Sequence, residues 1–118
     1  MLKDLENNTD FDKALQDSKE APVYIYKHSS SCNISRGAWR AIQEIAEDKP
    51  ELQFRRIMVR ENKPLSNDIA EKLNVEHQSP QIILINNGVP IWSATHYGIT
   101  RETIMGALKI LKSDEKPE

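Results

Sequence analysis

The sequence predicts an α/β fold, a four-stranded mixed sheet flanked by helices on both faces, and three observations carry that expectation. Short β-branched and aromatic runs alternate with stripes of helical period, the pattern of strands joined through helices. Asn86-Asn87-Gly88 separates the last two β-type runs, so these pair as an antiparallel hairpin. The chain has 118 residues and no repeat, low-complexity stretch or internal linker, which suits one domain over residues 1–118.

Residues 1–8 read as a flexible end. Thr9-Asp10-Phe11-Asp12 then looks like a helix start, and Phe11, Ala14 and Leu15 give it a short apolar face before Pro22. Val23 to Tyr26 are β-rich and read as a largely buried strand. From Ile34 the period changes, with Ile34, Ala38, Ala41, Ile42 and Ile45 on one helical stripe. Gly37 weakens that helix slightly, and Asp48-Lys49-Pro50 ends it. Leu52 to Val59 alternate as a second strand. Ser66-Asn67-Asp68 reads as the cap of a short helix carrying Ile69, Ala70 and Leu73. Ser79-Pro80 precedes a third strand, Gln81 to Ile85, and Val89 to Thr95 return as its hairpin partner. Thr100 caps a last helix bearing Ile104, Ala107, Leu108 and Leu111, with Ile99 and Ile104 placed as a hydrophobic staple. Residues 113–118 are charged and read as a frayed tail. The resulting order, α-β-α-β-α-β-β-α, is that of thioredoxin-like folds.

Composition narrows the function. A formal net charge of −2, without a lysine or arginine block and with few aromatics, argues against nucleic acid as a partner. No apolar run approaches the length that spans a bilayer, so no membrane partner is expected. The first ten residues are polar and acidic, without the apolar centre of a secretory signal. One cysteine makes no internal disulfide, and a reducing cytoplasm is the expected compartment.

That cysteine carries the chemistry. Cys32 follows Ser29-Ser30-Ser31, where the first strand hands over to a helix beginning near Asn33. A sulfur there faces unpaired backbone N–H groups and the positive end of the helix dipole, both of which favour the reactive thiolate. The competing role is inert core packing, to which free cysteine is well suited, but the polar neighbours do not describe a core position. Ser35 stands three residues on, where a dithiol enzyme would keep a resolving thiol; its hydroxyl can reach the sulfur or cap the helix, but cannot close a disulfide. The expected chemistry is therefore monothiol, and an external thiol must reset Cys32. Pro80 is either strand punctuation or, by analogy with the fold, a cis proline facing the nucleophile and leaving the Ser79 backbone open to a ligand. His28, at the strand end, is a candidate support for the thiolate or simply a solvent-facing residue. His77 and His96 are isolated in sequence, and neither a metal site nor a bound cofactor is expected. Arg55-Arg56 and Arg60-Glu61 read as solvated strand-edge charge, with an anionic ligand as the lesser alternative.

Several blocks then resemble the YtxJ family: Lys27-His28-Ser29-Ser30-Ser31-Cys32-Asn33-Ile34-Ser35, Ser66-Asn67-Asp68-Ile69-Ala70 and Val75-Glu76-His77-Gln78-Ser79-Pro80-Gln81. Ile82-Ile83-Leu84-Ile85-Asn86-Asn87-Gly88 and Trp92…Thr95-His96…Ile99-Thr100 continue the likeness, which runs from about Ala21 to Leu111. These are the thioredoxin-like, monothiol bacilliredoxins of the bacillithiol system. The resemblance implies a thiol–disulfide oxidoreductase that exchanges disulfides with bacillithiol, the low-molecular-weight thiol some bacteria use in place of glutathione. Its partners would be bacillithiolated client proteins, the small thiol itself, and a resetting thiol or dithiol reductant. Cys32 and Ser35 take the catalytic places, and Ser31, Asn33, Ser79 and Pro80 the substrate-binding ones. The family motif Thr-Cys-Pro-Ile-Ser reads Ser31-Cys32-Asn33-Ile34-Ser35 here, so asparagine replaces the proline and restores a backbone N–H at the first helical position. That departure bears on the thiol's acidity and on its partner. Two other roles fit the same residues: a non-catalytic thioredoxin-fold module binding through the Ser79-Pro80 groove, and a redox sensor capped without turnover.

Overall fold

The structure, a computed structural model, describes residues 1–115. Its elements are β1 (Leu2–Asp4), α1 (Asn8–Asp17), β2 (Val23–His28), α2 (Asn33–Asp48), β3 (Gln53–Met58), α3 (Lys63–Leu73), β4 (Gln81–Asn86), β5 (Val89–Thr95) and α4 (Arg101–Glu115). They form one mixed sheet in the order β1-β3-β2-β4-β5. β1, β3 and β2 run parallel, while β4 is antiparallel to both β2 and β5.

Alternation along the strands sorts the core into two layers. Val23 and Ile25 of β2, Ile57 of β3, and Ile83 and Ile85 of β4 pack with Phe11 and Ala14 of α1 and Leu65, Ile69 and Leu73 of α3. Their neighbours Tyr24, Tyr26, Phe54, Ile82 and Leu84 face the other way, onto Ala38, Ile42 and Ile45 of α2 and Ile104 and Ala107 of α4. Every residue of β2 is buried, because it is the central strand with helices over both faces. The Tyr24 hydroxyl fastens the second layer by donating to the Ile104 carbonyl at 2.5 Å.

The hairpin forms as expected. Asn87 and Gly88 make a two-residue turn, both at positive φ (53° and 81°), the conformation that matches the twist of the paired strands. Thr100 caps α4, its hydroxyl accepting from the Thr103 N–H at 3.1 Å, and Ile99 and Ile104 meet in the same buried cluster.

Three expectations need correction. The sheet has five strands, because Leu2–Asp4 of the supposed flexible end pair in parallel with Phe54–Arg56. The Met1 carbonyl accepts from the Phe54 N–H, the Leu5 N–H donates to the Arg56 carbonyl, and Asp4 takes a two-point ion pair from Arg56 at 2.7 and 3.0 Å. Helix α3 begins at Lys63, not at Ser66; Asn62 is its cap and Pro64 lies in its first turn, leaving Ser66 buried inside the helix. Arg55 is not solvated charge: it is 5% exposed and bonds Asp17 at 3.3 Å and Gln53 at 3.0 Å. As for the 113–118 tail, the α4 backbone continues to Glu115, and 116–118 lie outside the described residues.

Candidate active site

Cys32 is the N-cap residue of α2. Its backbone is extended (φ −104°, ψ 125°), its own N–H donates to the Ser29 carbonyl at 3.1 Å, and its side chain is partly exposed. The sulfur thus stands where a capping oxygen would otherwise sit. The backbone N–H of Ser35, then that of Ile34, hold the thiol below its ordinary value; the Ser35 hydroxyl adds to this and partial desolvation opposes it. Thiolate is favoured by the orphan donors of one helical turn, without a neighbouring cation.

Ser35 is fully buried, so its role is not limited to the sulfur. Its Oγ accepts from the Ser29 N–H at 3.3 Å and closes the loop that carries Ser30 and Ser31. Its carbonyl accepts from the Tyr26 hydroxyl at 3.1 Å, and that hydroxyl is also 3.1 Å from His28 Nδ1. A phenol has one proton to give, so both bonds form together only when His28 Nδ1–H donates to the Tyr26 oxygen. Burial, with help from Arg56, keeps His28 below its ordinary value and therefore neutral at pH 7, while burial pushes Tyr26 up to about 12. The result is a neutral chain, His28 to Tyr26 to the first turn of α2, the helix that Cys32 caps. Trp39 stacks on Tyr26 with ring centroids 6.0 Å apart, and the Arg56 guanidinium covers Trp39 at 4.3 Å.

His28 therefore faces Tyr26, and the groups that lower Cys32 are the Ser35 and Ile34 N–H groups and the Ser35 hydroxyl, without His28. Ser31 is exposed, 3.5 Å from the Ser29 hydroxyl. Asn33 is exposed at the first helical position, and its Oδ1 accepts from the Arg36 guanidinium. The Ser79-Pro80 bond is cis, and the antiparallel pairing of Lys27 with Gln81 sets Pro80 beside the end of β2 that leads into the Cys32 loop. The Pro80 carbonyl accepts from the His96 N–H at 3.1 Å, and no backbone hydrogen bond of Ser79 is made among the described residues. The Ser79 hydroxyl is buried without a partner among them.

A model of the monothiol bacilliredoxin BrxC family matches residues 3–104. The chain belongs to that family. Solved structures agree on the architecture of this bacilliredoxin. A thioredoxin-fold protein proposed to be an oxidoreductase is 27% identical, with a TM-score of 0.83 over 91% of this chain and 93% of its own. Thioredoxin from Fasciola hepatica is 17% identical (TM-score 0.73, 92% and 97% covered), and thioredoxin f from spinach chloroplast 13% (TM-score 0.74, 94% and 86%). The last two show the fold alone. Family and fold together support a role of the thiol–disulfide oxidoreductase kind.

Some of the surroundings of this bacilliredoxin's thiol were not visible in the sequence. Tyr26 read as core packing, and its hydroxyl bonds appear only once the α2 turn lies over β2. Lys27 and His77, fifty residues apart, meet on the opposite face of the sheet: Lys27 is fully buried, and its Nζ lies 3.0 Å from His77 Nδ1 and 3.3 Å from the Ser66 carbonyl. Among the described residues no helix is long and apolar enough to cross a membrane, and no group of three side chains is placed to hold a metal ion.

Proposed function

We propose that the protein removes bacillithiol from protein mixed disulfides through Cys32, working in a reducing cytoplasm. The Cys32 thiolate attacks the bacillithiol sulfur of a mixed disulfide. One S–S bond forms between Cys32 and bacillithiol as the client's S–S bond breaks, and the client thiolate leaves and takes up a proton. The client cysteine is reduced and Cys32 is oxidised, so no other oxidant or reductant enters this step. A second thiol, either small or from a dithiol reductant, then attacks the Cys32 adduct and restores the thiolate.

The observation that carries this reading is a single thiol at the N-cap of α2 with Ser35 three residues on, where a second thiol would close an internal disulfide. The thiol's acidity comes chiefly from two backbone donors, with the Ser35 hydroxyl adding to them and no cation beside it, which suits an attacking group whose pKa should sit near ambient pH. Asn33, in place of the family's proline, stands beside Ser31 at the site where the small thiol would enter, and Ser79 and Pro80 would flank the client backbone.

The test mixes reduced protein with a bacillithiolated client and follows both by intact mass, beside Cys32→Ser. Transfer of one bacillithiol mass to the wild type only, with release of the client thiol, is the expected result. A client that stays bacillithiolated while Cys32 alkylates normally would overturn it in favour of a binding module. A Cys32 that takes the adduct but is never reset by thiols would leave a sensor instead of an enzyme.

A further inference from the structure

Asn33, Arg36, Gly37 and Arg40 line an open cavity of about 540 Å³ that begins one residue from Cys32. Their spacing places them on one stripe of α2, opposite the buried stripe of Ser35, Ala38, Ile42 and Ile45. Three features distinguish this stripe from ordinary solvated charge. Neither Arg36 nor Arg40 makes an ion pair among the described residues, whereas Arg55, Arg56 and Arg101 each hold an aspartate. Arg36 is oriented by the Asn33 side chain, so one guanidinium is fixed toward the Cys32 end of the helix. Gly37 forms the floor: a Cβ built there meets nothing within 4 Å, so the space between the two arginines is open. Further along, the stripe turns acidic at Glu44 and Glu47, which confines the positive charge to the end carrying the thiol. The whole chain is negative, at −2, so this is a local reversal of sign.

We infer that the groove floored by Gly37 and walled by Arg36 and Arg40 binds the carboxylates of an anionic low-molecular-weight thiol while its sulfur is exchanged at Cys32, and that Asn33 sets this preference by holding Arg36. The inference rests on the proposed exchange at Cys32 and adds the chemical class of the group it accepts. Guanidinium forks match carboxylates in geometry and charge, so two of them four residues apart suit a ligand carrying two such groups better than a neutral one. The arginines act on the ligand and not on the sulfur, because the groups that lower the Cys32 thiol are the Ser35 and Ile34 N–H groups and the Ser35 hydroxyl.

The test needs no bacillithiol. Reduced protein is reacted with three symmetrical disulfides, the anionic dithiodiglycolate, the neutral hydroxyethyl disulfide and the cationic cystamine. Each rate is divided by that of the Arg36→Gln/Arg40→Gln variant, so that differences between leaving thiols cancel. The wild type should exceed the variant by about three- to tenfold with the anionic disulfide, by nothing with the neutral one, and fall below it with the cationic one. The advantage should shrink as salt is raised, and the pH midpoint of Cys32 alkylation should be the same in both proteins. Ratios near one for all three disulfides would overturn the inference while leaving exchange at Cys32 intact. Failure of every disulfide to react with a folded protein whose thiol still alkylates would overturn the proposed exchange itself. A shifted alkylation midpoint in the variant would show that the arginines act on the sulfur, and would also overturn the inference.

Discussion

Two neighbours on β2 bury polar side chains on opposite faces of the sheet and satisfy them by opposite means. Toward α2, Tyr26 and its partner His28 are neutral and hydrogen-bond to each other and to the first turn of the thiol's helix. Toward α3, Lys27 is buried as an ammonium, with no carboxylate beside it among the described residues. Its Nζ donates to the Ser66 carbonyl and to His77 Nδ1, with the Ser66 hydroxyl 3.2 Å from the same nitrogen, so His77 is neutral with its proton on Nε2. Desolvation lowers Lys27 to about 8, and it lowers His77 as well. Gln81 completes this side, donating to the Glu76 carbonyl at 3.1 Å and accepting from the Gln78 N–H at 3.3 Å. One face thus supports the helix that Cys32 caps and the other braces the segment that leads to Ser79 and Pro80. The strand's two-residue period lets the two be tuned separately.

The largest expected effect lies on the charged face. Lys27 takes its proton in the unfolded chain at an ordinary value of 10.5 and in the folded chain only near 8. The unfolded state therefore binds more protons between these values, and stability rises with pH across that window. Denaturant unfolding from pH 8 to pH 10 should show a gain of about 2–3 kcal/mol. Lys27→Met should abolish most of that slope and be more stable than wild type at pH 7 by about 1–3 kcal/mol, since it removes a desolvated charge at similar volume. An unchanged slope in the variant would break the contrast between the faces. On the acid side, His28 and His77 both lie below their usual value through burial, so stability should fall as pH drops beneath the ordinary histidine value of 6.5.

Next comes the neutral face. Tyr26→Phe keeps the ring against Trp39 but strands His28 Nδ1–H and the Ser35 carbonyl, and should cost about 1–2 kcal/mol in thermal or denaturant unfolding. That loss should be nearly the same at pH 7 and pH 9, unlike the lysine effect. A smaller change follows from Ser35→Ala, which removes a hydroxyl that favours the thiolate and leaves the two N–H donors in place. Alkylation of Cys32 at neutral pH should slow by roughly two- to threefold, with its midpoint moved to higher pH. A rate unchanged from wild type would leave the backbone as the whole source of acidity. Smallest of all, Asn33→Pro should shift stability by about half a kcal/mol or less, because the proline is preorganised for the first helical turn. Any loss it causes should appear only with the anionic disulfide.

Where the contrast was legible in the sequence is instructive. The β-rich runs of β2 and β4, the Asn87-Gly88 turn and the Thr100 cap are local signals, and each formed at its predicted place. Cys32 and Ser35 were legible because their spacing alone puts them on the first turn of α2. β1 was not: three residues with one apolar side chain carry no periodicity, and the strand exists only through its ladder to β3 and the Asp4–Arg56 pair. The start of α3 was misplaced because Ser66-Asn67-Asp68 mimics a cap, while the true cap, Asn62, precedes a proline-bearing turn. Lys27, Ser66 and His77 could not be joined in advance, since strand β2, helix α3 and the segment before β4 converge only in the finished sheet.

Both outer strands of that sheet are built to refuse a further strand. On one side β1 offers three residues, two of them charged, too short a template for another chain to extend. On the other, β5 carries Pro90, which has no N–H to give, next to a register shift between Leu84 and Ile85. Unpaired ladders are where folded proteins aggregate, and each end of this sheet carries a feature that closes its own. Deleting residues 1–4 would strip one of these guards and leave the N–H and C=O groups of β3 open to other chains.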